Sequence, residues 1–258
     1  PIAFTGNKFE FRAVGSSQNP SEAVTLLNQL CTYGYYIIEK RLATFKGQDI
    51  RESALLVLKD VFKETRRIRF EGNGYSSDWH QEGVKLGLPN ARNTPEALPA
   101  YEEDDAIELM EKTHVLTKRE VKAKIDIKFE YYIKTKEIEY KTAVNMARTQ
   151  ILPALTRQIS LSASAAASLQ TVGITSKLVD DVKAFEKLYV KIKECSDTLE
   201  KMLKKAENKS QMHAKAQFLA DEGETALEKL RSAVDSAEEI VAHDLWPMAK
   251  YQDLLNTL

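Results

Sequence analysis

The sequence predicts a mainly α-helical fold opened by one or two short strands, and three observations carry that prediction. Beyond Tyr101, apolar residues recur at spacings of three and four over most of the chain, the pattern of helices with one covered face. Period-two alternation, which marks a half-buried strand, is confined to Lys8–Arg12. A seam from Leu178 to Leu203 and a second stripe from Ala216 to Val241, parted by Glu207-Asn208-Lys209-Ser210, predict a long antiparallel helical hairpin.

In the opening strand Lys8, Glu10 and Arg12 share one face, and Phe9 and Phe11 occupy the other. A cation, a carboxylate and a cation in a row have two readings. They suit the wet face of an ordinary amphipathic strand. They also suit a site in which the carboxylate holds a hard divalent cation and the flanking Lys and Arg hold phosphate oxygens. Residues Ala13 to Gln18 read as a turn. Asn19-Pro20-Ser21-Glu22 is a helix start, with a capping Asn, a Pro where its missing N–H costs nothing, and an acid at the positive helix end. Val24, Leu27, Leu30, Cys31, Tyr33, Ile37, Ile38 and Leu42 then form an apolar stripe up to Lys46-Gly47. A second helix is expected from about Ile50 to Arg67, with Leu55, Leu58, Val61 and Phe62 inward.

Periodicity stops between Arg66 and Ala100. Gly72 and Gly74 suit turns, Pro89, Pro95 and Pro99 constrain the later path, and Trp79-His80 stands between them. A long, specified loop of this kind is more often functional than filler. His80 has the chemistry of a ligand or a base, and equally that of a hydrogen-bonded structural residue beside Trp79. The glycines form no phosphate loop, because no Gly-Lys-Ser/Thr ending follows them.

A helix is expected over Asp104–Lys112, and Thr117-Lys118-Arg119-Glu120 is a capping box that opens a long one. Its stripe of Phe129, Tyr132, Ile133, Ile138, Tyr140 and Met146 reads as core packing. Pro153 should kink or restart the helix, and the Ser/Ala run from Ser160 to Ser168 suits close helix contact. Pro247 should stop the last long helix, leaving Trp246, Tyr251 and Leu254 to anchor the tail. His114 reads as a turn residue, while His213 and His243 lack ligand partners at helical spacing.

With 258 residues and 43% hydrophobic side chains the chain can build a substantial core. Its 37 Lys and Arg balance 38 Asp and Glu, so no net field favours nucleic acid or an anionic membrane. No apolar run approaches the roughly 20 residues needed to span a bilayer, and no signal-peptide layout opens the chain, so a cytoplasmic location is expected. Cys31 and Cys195 are expected as buried free thiols. The start at Pro1, with the charged strand following at once, suggests the carboxy-terminal part of something longer.

Asn7-Lys8-Phe9-Glu10-Phe11-Arg12 resembles the Arg-x-Glu-x-Arg strand of glutamine synthetases, in the form typical of the type III subfamily. Lys8 departs from the Arg of other classes, which keeps the charge and loses a bidentate grip. Asn19-Pro20 is similar to the helix opening that follows that strand. The Arg66–Ala100 segment, the stretch from Tyr132 to Ala154, and the ending Leu245-Trp246-Pro247 with Asp253-Leu254-Leu255 resemble the type III subfamily as well.

The resemblance implies that residues 1–100 contribute one or two strands and the following helices to an α+β catalytic core, and that residues 101–258 form a type III helical domain. It implies an ATP-dependent ligase that joins glutamate and ammonia through a γ-glutamyl phosphate. Glu10 would be a ligand of one of two Mg²⁺ or Mn²⁺ ions. Arg12 would contact the transferred phosphate or the glutamate carboxylate, and Lys8 would lie near the nucleotide phosphates. The family's remaining metal ligands would precede Pro1, so this chain alone is expected to be inactive. The family's assembly implies a homo-oligomer, a dodecamer of two hexameric rings. Composition and periodicity taken alone favour a different protein, a non-catalytic helical scaffold with the hairpin as its binding surface.

Overall fold

The computed structural model describes residues 2–12, 15 and 18–255. Strands β1 (Ile2–Phe4) and β2 (Phe9–Phe11) form a two-stranded antiparallel sheet, with Ile2 opposite Phe11, Ala3 opposite Glu10 and Phe4 opposite Phe9. The Thr5–Lys8 turn joins them: the Thr5 N–H donates to the Lys8 carbonyl at 2.9 Å, and Gly6 takes φ +96° at the first central position, as a type II′ turn requires. The turn expected over Ala13–Gln18 includes Ala13, Val14, Ser16 and Ser17, which lie outside the described residues; Gln18 N–H does bond the Gly15 carbonyl at 2.9 Å. The rest of the described chain is mostly helical.

The chain divides into two compact units, one of residues 1–92 and 97–123, the other of residues 93–96 and 124–258. In the first unit, α1 (Ser21–Leu42) packs on α2 (Ile50–Glu64) and on α5 (Asp104–Lys112). The Asn19 side chain accepts from Ser21 N–H, and Asp49 caps α2 by accepting from Arg51 and Glu52. Two expectations are corrected here. The stripe of α1 is largely uncovered, with Val24, Leu30, Cys31 and Tyr33 all exposed, and the fully covered residue is Gln29, whose Nε2 donates to Met110 Sδ at 2.8 Å and Thr113 Oγ1 at 3.2 Å. A polar side chain in the contact with α5 is invisible to a reading that counts apolar positions. The Arg66–Ala100 stretch also carries helix, namely a 3₁₀ turn over Thr65–Ile68, α3 (Ser77–Lys85), α4 (Thr94–Ala97) and a 3₁₀ turn from Leu98 to Glu102. Short helices started by local caps, such as Ser76 Oγ accepting from Trp79 N–H, need no apolar period.

The second unit holds most of α6 (Lys118–Met146), α7 (Leu152–Thr171), α8 (Leu178–Glu207), α9 (Met212–Phe218), α10 (Glu224–Glu238) and the short α11 (Tyr251–Leu255). Here α8 packs along both α7 and α10 and buries Phe185, Ile192, Leu199 and Leu203 of its seam together with Ser196. The helix does not break at Pro153: five residues of π-helix, Ala147–Ile151, lead directly into α7. Widening the turn there accommodates a residue that cannot donate to the carbonyl four positions back. A second π-turn, Leu219–Gly223, joins α9 to α10, and α10 ends at Glu238, well before Pro247. The stop comes from Lys250, whose Nζ donates to the Glu238 carbonyl at 3.0 Å and the Val241 carbonyl at 3.3 Å, beside a buried Trp246. Both cysteines are free, with Cys31 exposed and Cys195 half-buried, which corrects the expectation of buried thiols. Among the described residues no helix is long and apolar enough to cross a membrane.

Candidate functional site

The pleat of β2 puts Lys8, Glu10 and Arg12 on one face of the hairpin. Arg12 Nη2 donates to Glu10 Oε2 at 2.8 Å, Arg12 Nε reaches the same oxygen at 3.3 Å, and Lys8 Nζ lies 3.4 Å from Glu10 Oε1. Both carboxylate oxygens are thus engaged by cations. The Arg12 hydrogen bond, followed by that from Lys8, holds the Glu10 carboxyl below its ordinary pKa, so it is anionic at neutral pH. Arg12 is held more firmly protonated by Glu10 first and by Tyr75 second. On the opposite face the Phe4 and Phe9 rings meet with centroids 5.1 Å apart, and Phe9 remains 74% exposed.

The three residues picked out on the strand therefore come together. His80 sits exposed on α3. Among the described residues no group of three or more His, Cys, Asp or Glu forms that could hold a metal ion. Glu10, a single carboxylate already occupied by two cations, does not by itself fit a divalent metal site.

A family model described as the glutamine synthetase C-terminal domain matches residues 54–170. The chain is 28% identical over 270 residues to a type-3 glutamine synthetase of Dictyostelium discoideum, covering 99% of this chain and 36% of that protein. The chain is thus similar over its length to a type-3 glutamine synthetase and, over residues 54–170, to the glutamine synthetase C-terminal domain. A glutamine synthetase of Bacteroides fragilis is 28% identical over 269 residues and one of Butyrivibrio fibrisolvens 26% identical over 265, each across 100% of this chain. The chain spans little more than a third of the length of these glutamine synthetases, with 36% to 37% of each covered. The match to the C-terminal domain takes in α3 to α6 and most of α2 and α7, so the aperiodic stretch that carries Tyr75 lies within it.

Proposed function

We propose that this chain is part of an ATP-dependent ligase that condenses glutamate and ammonia to glutamine through a γ-glutamyl phosphate. The observation that carries the reading is the Lys8–Glu10–Arg12 row on one face of β2, in a chain related to glutamine synthetases throughout. Phosphoryl transfer depends on positioning and charge neutralisation more than on covalent help. Arg12 presents a planar fork suited to a phosphate or carboxylate, so it takes the transferred phosphate or the glutamate carboxylate, and Lys8 takes a nucleotide phosphate as a point charge. Glu10 holds both cations in place until an anion arrives.

Mg²⁺ or Mn²⁺ belongs to the proposed reaction, with Glu10 as one ligand. Among the described residues the other carboxylates that such a site needs are not gathered. By the same reasoning the chain alone is inactive. Residues 1–100 are proposed as the end of an α+β catalytic domain and residues 101–258 as a helical domain whose α8 and α10 form the antiparallel hairpin. The uncovered apolar faces of the β-hairpin and of α1 and α2 support that division, because a two-stranded sheet is at best marginally stable alone. A cytoplasmic dodecamer of two hexameric rings completes the proposal.

The test is glutamate- and ammonia-dependent phosphate release from ATP by the full-length polypeptide that contains this sequence. Glu10→Ala should lower the rate by about 10²-fold or more. An inactive wild type, or a variant that matches it, returns the chain to the helical-scaffold reading.

A further inference from the structure

Within the second unit, the π-turn Ala147–Ile151, the start of α7 and the middle of α8 surround an open groove of about 700 Å³. Tyr189, Lys193 and Asp197, spaced one turn apart on α8, line one side of it, and Pro153 and Arg157 of α7 line the other. Asp197 stands four residues beyond Lys193, where a helix ordinarily pairs opposite charges. It is taken instead by Arg148 of the π-turn, whose Nη2 donates to Asp197 Oδ1 at 2.7 Å and to Glu200 Oε2 at 3.0 Å. Widened turns of this kind recur at functional sites. Arg157 has no acid three or four positions away on α7, and among the described residues neither it nor Lys193 has an ion-pair partner. Two uncompensated cations thus face one groove, in a chain whose overall charge is balanced.

We propose that this groove binds an organic phosphate, a phosphate monoester on a small planar group. The phosphate would lie between Arg157 and Lys193, and the organic part against Tyr189, Leu152 and Pro153. A phosphate monoester carries close to two negative charges at neutral pH, which matches two unpaired cations where a single carboxylate would leave one of them over. Arg157 offers a planar fork for two phosphate oxygens, and Lys193 a point charge for a third. The hydroxyls of Thr149 and Thr156 at the wall already donate to the Asn145 and Leu152 carbonyls, at 2.7 and 2.9 Å. Recognition therefore falls to the charged groups and to Tyr189, which is half-buried and whose hydroxyl has no partner among the described residues. The groove has the size of a small-molecule site, roughly 300–1,000 Å³, and its apolar wall gives an organic group somewhere to leave water. None of Lys8, Glu10 and Arg12 lines it.

The experiment is calorimetric titration of the full-length polypeptide with phenyl phosphate, inorganic phosphate and phenol at low ionic strength. Expected is saturable binding of phenyl phosphate that weakens as salt is added, binding of inorganic phosphate about tenfold weaker, and no binding of phenol. Arg157→Gln and Lys193→Gln should each weaken phenyl phosphate by about tenfold or more. Both positions are exposed, so the two variants should keep the wild-type unfolding midpoint. Tyr189→Ala should weaken phenyl phosphate and leave inorganic phosphate unchanged. The assignment is overturned if phenyl phosphate does not bind, or if it binds no more tightly than inorganic phosphate. Binding that survives both Arg157→Gln and Lys193→Gln, or that disappears with Arg12→Lys, belongs elsewhere in the polypeptide and overturns it equally.

Discussion

Tyr140 shows how one residue can dictate the path of a helix distant in sequence. It is completely buried, and its hydroxyl donates to the Leu219 carbonyl at 2.9 Å and lies 3.2 Å from Glu224 Oε1. The π-turn over Leu219–Gly223 leaves that carbonyl available, and a β-carbon at Gly223 would lie 2.4 Å from the Tyr140 ring. Gly223→Ala should therefore cost about 1–3 kcal/mol, read as a lower urea midpoint with unchanged slope. Tyr140→Phe strands the carbonyl and should cost about 1–2 kcal/mol. Burial, and next the charge of Glu224, raise the Tyr140 pKa above its ordinary value. The folded state then resists losing that proton, so its contribution to stability is intact below the unfolded tyrosine pKa, about 10, and is lost progressively as pH rises beyond it. Urea midpoints measured up the alkaline limb should fall more steeply in the wild type than in Tyr140→Phe; equal slopes would show that Tyr140 is not the group responsible.

At the scale of elements, the connection from α5 to α6 is made almost wholly of local rules. His114 follows α5 at φ +54°, with its N–H bonded to the Glu111 carbonyl and the Val115 N–H to the Met110 carbonyl, the pattern of a Schellman stop. Thr117 and Glu120 then bond reciprocally, Thr117 N–H to Glu120 Oε2 at 2.8 Å and Glu120 N–H to Thr117 Oγ1 at 3.4 Å. A left-handed conformation costs a residue with a β-carbon about 1 kcal/mol that glycine avoids. His114→Gly should raise the thermal midpoint accordingly, whereas Thr117→Ala should lower stability by about 1 kcal/mol. Both signals could be read in advance, since a cap needs only neighbours in sequence. The second π-turn and the early end of α10 could not, because Tyr140, Gly223 and Lys250 act on partners that the chain brings together only when folded.

For the molecule as a whole, the two units differ in how well they cover themselves. In the second, Ile151, Leu155, Ile192, Leu199 and Leu219 are fully buried. In the first, Val57, Leu98 and Met110 are buried, while Leu30, Tyr35, Leu55 and Phe62 face outward from α1 and α2. Amides of α7 and α8 should therefore exchange with solvent about 10²-fold or more slowly than those of α1 and α2 in the isolated chain. Uniform protection would contradict that ordering. Leu199→Ala, which empties a site in the middle of α8, should cost about 2–5 kcal/mol.

What the sequence determined by itself was whatever depends on near neighbours. That includes the helical class, the α5 boundaries at Asp104 and Lys112, the capping box at Thr117, and the strand period that sets Lys8, Glu10 and Arg12 on one face. Backbone geometry and hydrogen-bond capping act over one turn or one pleat, so residue order is enough to read them. Tertiary structure decided which stripes are covered, burying Gln29 while exposing Leu30, and how the row is engaged, with Glu10 paired on both sides. Those outcomes depend on segments far apart in the chain, and their meeting is settled by packing of the whole unit rather than by any local preference.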